Sequence, residues 1–200
     1  MTEILAFNRW STNGIIVKDP GLARYINLDP KIVPKTNARW IGRQFHKSKT
    51  FIVERLINRI RVTGHKSKQH HFKTSGHMAT QGINAYNIIE KVFLRIEKQT
   101  KENPIKVFVK AIENAAPREE IVTIEYGGAR YPKAVDSSPQ RRIDLVLKLI
   151  SQGSYHKSFN SKKSIVDTLS EEIVNAYNSS PNSAVIAKKN ELERQADSSR

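Results

Sequence analysis

Residues 116–153 read APREEIVTIEYGGARYPKAVDSSPQRRIDLVLKLISQG, and this stretch decides the fold of the chain. Two runs of β-type residues lie on either side of a Gly-Gly pair at positions 127–128. A two-residue Gly-Gly loop supplies the positive φ that a tight turn requires, so residues 119–135 are predicted to form a β-hairpin. Ser138 and Pro139 then predict the start of a helix, because the hydroxyl can cap free amides and proline already has helical φ.

The first turn of this predicted helix carries two arginines, Arg141 and Arg142. Cations at a helix N-terminus oppose the helix dipole, at a cost of roughly 0.3–1 kcal/mol each. We therefore expect both side chains to face an anion strong enough to outweigh that cost. Lys162 and Lys163 repeat the pattern at the predicted start of a later helix.

Apolar residues recur at helical spacing, three and four positions apart, in six segments of the chain. Four such apolar faces can bury one another in a bundle. The fold is therefore predicted to be mainly α: a bundle of about six helices, with the β-hairpin inserted as an arm between helices three and four. Whether this hairpin projects or packs flat against the bundle is left open. The six helical segments lie at about residues 53–63, 86–96, 103–116, 139–153, 162–178 and 183–196.

Residues 1–47 show no sustained helical period and contain three prolines and three glycines. They are predicted to form an extended, basic N-terminal arm, and residues 48–200 the helical domain. Four aromatic residues of the arm favour partial order over a flexible tail, the alternative reading, because aromatic side chains usually pack on a surface. These aromatic residues are Phe7, Trp10, Tyr25 and Trp40.

The charge balance indicates a polyanionic partner. The chain of 200 residues has 34 Lys and Arg against 19 Asp and Glu, a formal net charge of +15. Ten cations and a single acid, Glu54, fall between residues 36 and 80, and a concentrated excess of this kind is typical of a contact surface. No apolar run is long enough for a membrane span, and the absence of cysteine fits a cytosolic protein.

Cations interleaved with aromatic residues are the candidates for phosphate contact. Arg55 and Arg59 are neighbours on the first predicted helix, although a solvated helical face is the alternative for this pair. Three lysines lie in the histidine-rich loop 64–77, for which a metal site and a mobile basic loop are the alternatives. The candidate RNA contacts from this region are Arg39, Arg43, Lys47, Lys49, Arg55, Arg59, Lys66, Lys68 and Lys73.

Enzyme signatures are missing: the sequence has no Walker phosphate loop, GxGxxG, GxSxG or HExxH. The chain is predicted not to be an enzyme and to hold no metal or cofactor. The preferred function is binding of structured RNA, because the positive charge is spread over loops and helix starts and no base-reading recognition helix stands out. The rivals are a histidine-dependent RNA-processing enzyme using loop 65–77 and a non-ribosomal RNA- or DNA-binding protein.

Several motifs, taken in their order, resemble small-ribosomal-subunit protein seven in its archaeal and eukaryotic form. The resemblance extends from about Lys49 to the C-terminus. It rests on Pro-Arg-Glu-Glu at 117–120, Tyr-Gly-Gly-Ala at 126–129, Tyr-Pro at 131–132 and Ser-Pro-Gln-Arg-Arg at 138–142. The order of these motifs is far more specific than any one of them.

The resemblance implies a structural protein of the cytoplasmic ribosome. Proteins of this family bind the head (3′ major) domain of small-subunit ribosomal RNA, nucleate its folding, and touch neighbouring proteins nine and eleven. Their hairpin reaches the exit-site transfer RNA and the messenger RNA. It implies that Ser138 also faces ribosomal RNA, and that residues 48–200 are an RNA-binding domain. The implied RNA contacts are Arg118, Arg141 and Arg142, and the hairpin-tip contacts are Gly127, Gly128, Arg130 and Tyr131. The helix-dipole argument adds Lys162 and Lys163 to the candidate RNA contacts.

One departure from the family pattern concerns the hairpin. Bacterial members of the family have a more basic hairpin, whereas this one carries three acidic residues, Glu119, Glu120 and Glu125. Any contact with transfer RNA is therefore expected to use the tip and the return strand.

Overall fold

The structure is a computed structural model that describes residues 3–36, 42–43, 45–62 and 81–200. Seven α-helices, one 3₁₀ helix and one hairpin are the regular elements of this part of the chain. They follow one another as α1 (Pro20–Ala23), a 3₁₀ helix (His46–Lys49), α2 (Ile52–Ile60), α3 (Gly82–Thr100), α4 (Pro104–Ala115), β1 (Glu119–Tyr126), β2 (Ala129–Asp136), α5 (Pro139–Ser158), α6 (Ile165–Tyr177) and α7 (Ala184–Asp197). The six predicted helices correspond to α2–α7, and the mainly α fold with a hairpin between the third and fourth of them is confirmed.

The core is formed by the apolar faces of α2–α6, with α6 packed against α3, α4 and α5. Phe93, Phe108 and Leu169 are among the side chains that are fully buried there. Asn103 caps α4 by accepting a hydrogen bond from the backbone N–H of Ile105 at 3.0 Å. None of the helices in the described part of the chain has the length and apolar character needed to span a membrane.

The predicted end of the fourth helix at Gly153 is wrong, because α5 continues to Ser158. A Cβ atom at position 153 would lie 3.1 Å from the Cβ of Ala184, so glycine allows α5 and α7 to approach closely. Ser138 occupies the N-cap position of α5, but its side chain makes no capping hydrogen bond. The helix therefore starts at Pro139 without the expected hydroxyl cap.

The fifth predicted helix also starts later than expected. Ser164 and Asp167 form a reciprocal capping box, and α6 begins at Ile165. Lys162 and Lys163 consequently precede the helix instead of occupying its first turn. The dipole argument that was applied to these two lysines does not hold.

The described part of the N-terminal segment packs against the helices instead of extending away from them. Trp10, Leu22 and Ile26 belong to the same buried core as the helical bundle. The ring of Trp10 meets that of Phe93 edge to face, with centroids 5.8 Å apart. The predicted extended arm is thus not confirmed for this segment, and Trp40 lies outside the described residues.

The hairpin has the predicted Gly-Gly turn. Gly127 and Gly128 have φ values of +57° and +81°, and the strands pair from Glu119 with Asp136 to Tyr126 with Ala129. At the base of the hairpin, the backbone N–H of Arg118 donates to Glu193 of α7 at 3.0 Å. Every residue from 122 to 133 is exposed.

Candidate nucleic-acid interface

An open groove of about 1090 Å³ lies between the 3₁₀ helix and α2 on one side and α5 on the other. We call it the α2–α5 groove. Among the residues that the structure describes, its charged lining consists of six cationic side chains and one carboxylate, so phosphate is the chemical group that it fits best. These charged residues are Arg43, Lys47, Arg55, Arg59, Arg141, Lys148 and Asp144.

The groove brings together six of the residues predicted to face RNA, from both sides of the hairpin insertion: Arg43, Lys47, Arg55, Arg59, Ser138 and Arg141. Lys148 is a further cation that sequence reasoning missed. It is exposed and lies one helical turn after Asp144, on the polar side of α5. The available signal was this i, i+4 spacing, which places both side chains on the same face of the helix.

Asp144 stands at the centre of the cationic cluster. Its Oδ2 atom lies 2.8 Å from Lys47 Nζ, and its Oδ1 atom lies 2.9 Å from Arg55 Nη2. The Arg55 side chain is only 4% exposed and also donates to the backbone carbonyl of Tyr25 at 3.2 Å. Burial lowers the pKa of Arg55, and the charge and hydrogen bond of Asp144 oppose that shift. Arg55 is therefore a buried cation that is stabilised by a carboxylate of the groove.

Arg59 lies one turn further along α2 and is half-buried. Burial lowers the pKa of its guanidinium, and the charge of Asp144 opposes the shift. Three cations of the groove, Lys47, Arg55 and Arg59, therefore interact with the same carboxylate. A net positive, partly desolvated cluster attracts phosphate more strongly than the same charges would in bulk water.

Arg141 and Arg142 face different anions, and both of these belong to the protein. Arg141 is 66% exposed at its side chain and donates to Glu120, with 2.7 Å between Nη2 and Oε2. This hydrogen bond raises the pKa of Arg141. The expected strong anion is therefore an internal carboxylate in this case, although much of the side chain stays accessible.

Arg142 is buried. Its Nη2 atom lies 2.9 Å from Oδ2 of Asp19, and its Nε donates to the carbonyl oxygen of Pro117 at 2.9 Å. Only 10% of the side chain is exposed, so the guanidinium joins the N-terminal segment, the base of the hairpin and α5. We therefore do not propose Arg142 as an RNA contact.

The remaining candidates lie outside the groove. Lys49 and Arg118 are exposed, and so are Lys162 and Lys163 in the connection before α6, where Lys163 Nζ lies 3.0 Å from Glu171. At the hairpin tip, Arg130 lies 3.5 Å from Glu125. The predicted contacts that fall outside the described residues are Arg39, Lys66, Lys68 and Lys73, together with the histidine-rich loop 65–77.

The two faces of the hairpin differ in character. Strand alternation places Val122, Ile124 and Tyr126 on one face, where Ile124 pairs with Tyr131 across the strands. All four are exposed, Tyr126 by 81% and Tyr131 by 59%.

Within the described ranges, no group of three or more metal-ligating side chains comes together.

Comparisons with known proteins place this geometry in a family. The family described as "Ribosomal protein S7p/S5e" matches residues 22–200. The protein "Small ribosomal subunit protein uS7" of Nanoarchaeum equitans is 52% identical over 194 residues, which cover 97% of this chain and 98% of the relative. The proteins of the same name from Archaeoglobus fulgidus and Methanothermobacter thermautotrophicus are each 44% identical over 198 residues. These matches cover 99% and 97% of this chain and 96% and 98% of the relatives.

The family match covers most of the chain, and sequence identities of 44–52% over nearly the whole length are too high to arise by chance. The match confirms the resemblance inferred from the motifs of the hairpin region. It also confirms the prediction that the chain is not an enzyme, because this is a family of structural proteins. The chain belongs to the ribosomal protein S7p/S5e family.

Proposed function

We propose that this chain binds the head (3′ major) domain of small-subunit ribosomal RNA through the α2–α5 groove and nucleates assembly of the head. As a member of its family it is a structural constituent of the small ribosomal subunit in the cytoplasmic ribosome, and it binds ribosomal RNA. The proposal assigns a specific surface to that binding.

The observation that carries the proposal is the charge of the α2–α5 groove, whose described lining has six cations against one carboxylate. Four of these cations stand on α2 and α5, which the buried core fixes, so their backbone positions are defined before RNA arrives. Such preorganisation favours a folded RNA whose phosphates match the spacing of the cations. Binding of this kind weakens steeply with salt, because each phosphate contact releases condensed counterions.

The hairpin supplies the second part of the proposal. We propose that its exposed tip, with Gly127, Gly128, Arg130 and Tyr131, lies near the exit-site transfer RNA and the messenger RNA, which is the position that the family resemblance suggests. Support comes from the accessible apolar face, since aromatic side chains can stack on unpaired bases. The proposed protein neighbours are small-subunit proteins nine and eleven, which also follow from the resemblance.

Charge reversal tests the groove. Arg43 and Lys148 are exposed at opposite walls, so Arg43→Glu/Lys148→Glu changes the lining without removing buried contacts. The matched control is Lys91→Glu/Lys98→Glu, which makes the same charge change at exposed positions of α3 outside the groove. We expect the groove variant to lose about 100-fold in affinity for small-subunit ribosomal RNA, and the control less than about 10-fold.

The measurement is filter binding at a fixed salt concentration, with thermal melting to show that both variants are folded. Equal losses for the two variants would mean that only the total charge matters, and the groove would not be the binding surface. The rival of a non-ribosomal binder predicts a different result, namely equal affinity for small-subunit ribosomal RNA and for a DNA duplex.

A further inference from the structure

The single carboxylate of the α2–α5 groove opposes the function proposed for it. Asp144 is 38% exposed at its side chain and lies among the groove cations, so it repels any phosphate that enters. A purely electrostatic surface for RNA would be stronger without it. The contacts of Asp144 explain what it does there.

The two ion pairs of Asp144 are unequal. Arg55 is 4% exposed and is held by the carbonyl of Tyr25 as well, so its guanidinium stays in place whether or not RNA is present. Lys47 is 31% exposed and extends from the short 3₁₀ helix on a flexible side chain. Of the two partners, only Lys47 can turn from Asp144 to a phosphate in the groove.

We propose that Asp144 takes the place of an RNA phosphate beside Lys47, and that Lys47 is released only to a phosphate that the correctly folded RNA positions in the groove. Asp144 is then a specificity-determining residue, and this inference rests on the function proposed above for the groove. An RNA without a phosphate at that point is repelled by Asp144 and gains no contact with Lys47. The correctly folded RNA is repelled equally by Asp144, but its contact with Lys47 offsets that repulsion.

Counterion release makes this arrangement measurable. A lysine that stays paired with a carboxylate neutralises no phosphate, so it displaces none of the cations condensed on the RNA and adds little to the salt dependence of non-specific binding. Asp144→Asn keeps the shape of the side chain and removes the carboxylate charge that pairs with Lys47. We expect this change to raise the affinity for a short mixed-sequence RNA duplex about five-fold, the factor for one unit charge at contact distance in a water-like medium. The log–log salt slope should steepen by about one unit.

The decisive experiment is a double-mutant cycle of Lys47→Met and Asp144→Asn, measured with the duplex and with small-subunit ribosomal RNA across a salt series. In the otherwise native protein, Lys47→Met should lower the affinity for ribosomal RNA about five-fold and that for the duplex less than about two-fold. In the Asp144→Asn background, it should lower both about five-fold.

Three controls separate this role from a structural one. Lys148→Met removes a groove cation that has no ion pair with any residue the structure describes, and it should weaken both RNAs equally in both backgrounds. Asp144→Glu retains the charge and should keep the native salt slope. Because Asp144→Asn leaves Arg55 without its carboxylate, the cycle is repeated in an Arg55→Met background, where no buried cation is left unpaired.

The results separate the inference from the proposed function. If Lys47→Met weakens duplex binding equally with and without Asp144, Asp144 does not withhold the lysine, and the inference is overturned. If the native protein does not prefer small-subunit ribosomal RNA to the duplex, the proposed function fails instead. The cycle on the duplex still decides whether Asp144 withholds Lys47.

Discussion

The α2–α5 groove and the tip of the hairpin are both proposed to face RNA, but the protein holds them in different ways. In the groove, four of the cations stand on α2 and α5, whose opposite faces form part of the core, and Arg55 is itself buried against Asp144. In the hairpin, residues 122–133 are all exposed, and the contacts with the helices lie at its base. The geometry of the groove should therefore depend on the stability of the whole domain, whereas the tip should vary independently of it.

Arg142→Ala should have the largest effect, because Arg142 fixes the junction between these two regions. Removing the buried guanidinium breaks its pair with Asp19 and its hydrogen bond to Pro117, at a cost of about 3 kcal/mol in the free energy of unfolding. Urea unfolding measures this loss. The neighbouring variant Arg141→Ala removes an exposed guanidinium but leaves the carboxylate of Glu120, only 12% exposed, without this partner, so it should cost about 1–2 kcal/mol.

The same two variants test the division of roles between the arginines. Arg141→Ala should weaken binding to small-subunit ribosomal RNA while the protein remains folded. Should Arg142→Ala instead leave stability unchanged and abolish RNA binding, Arg142 would be an RNA contact, and the junction assigned to it here would be wrong.

Gly127→Val should have the next largest effect, confined to the hairpin. Gly127 has a φ of +57°, which a β-branched residue adopts only at a cost of about 1–3 kcal/mol. Amide hydrogen exchange should speed up in β1 and β2 and stay unchanged in α3 and α4. Ala129→Val, at the first position of β2, is the control and should leave amide exchange unchanged in both the strands and the helices. Faster exchange in α3 and α4 as well would show that the hairpin supports the core.

The smallest effect is on the pH dependence of the unfolding free energy, through the pair of Asp19 and Arg142 near the base of the hairpin. Burial opposes ionisation of Asp19, but hydrogen bonds from Gly21 and Arg142 and the charge of Arg142 outweigh it and lower the pKa of Asp19. A carboxyl with a lowered pKa in the folded state stabilises the protein above its unfolded pKa. That stability is lost as the pH falls below about 4. Asp19→Asn should flatten this part of the curve of unfolding free energy against pH, and an unchanged slope would contradict the assignment.

Local patterns were sufficient for the helices and the hairpin. The Gly-Gly pair at 127–128 predicts the turn from backbone conformation alone, and helical spacing locates α2–α7. Gly153 misled the prediction because a glycine can end a helix or allow two helices to approach. The second role depends on Ala184, on a helix that begins 31 residues later in the sequence.

The candidate site was predicted less completely because its charges are sorted by tertiary contacts. Arg141 and Arg142 are adjacent in the sequence, yet one is exposed and the other is buried against Asp19, which lies 123 residues away. The burial of Trp10 and Leu22 has the same cause, since nothing in residues 1–47 reveals the surface that receives them. Lys148 was missed because a lone lysine on a polar helix face usually has no special role.

The most direct test of the central claim is photocrosslinking from the α2–α5 groove in assembled small ribosomal subunits. A photoreactive amino acid replaces Lys148 in the groove or, as the matched control, Lys91 on α3. We predict that the probe at position 148 crosslinks to the head domain of small-subunit ribosomal RNA. Crosslinks from position 148 to proteins alone, with none to ribosomal RNA, would contradict the assignment of the groove as the RNA-binding surface.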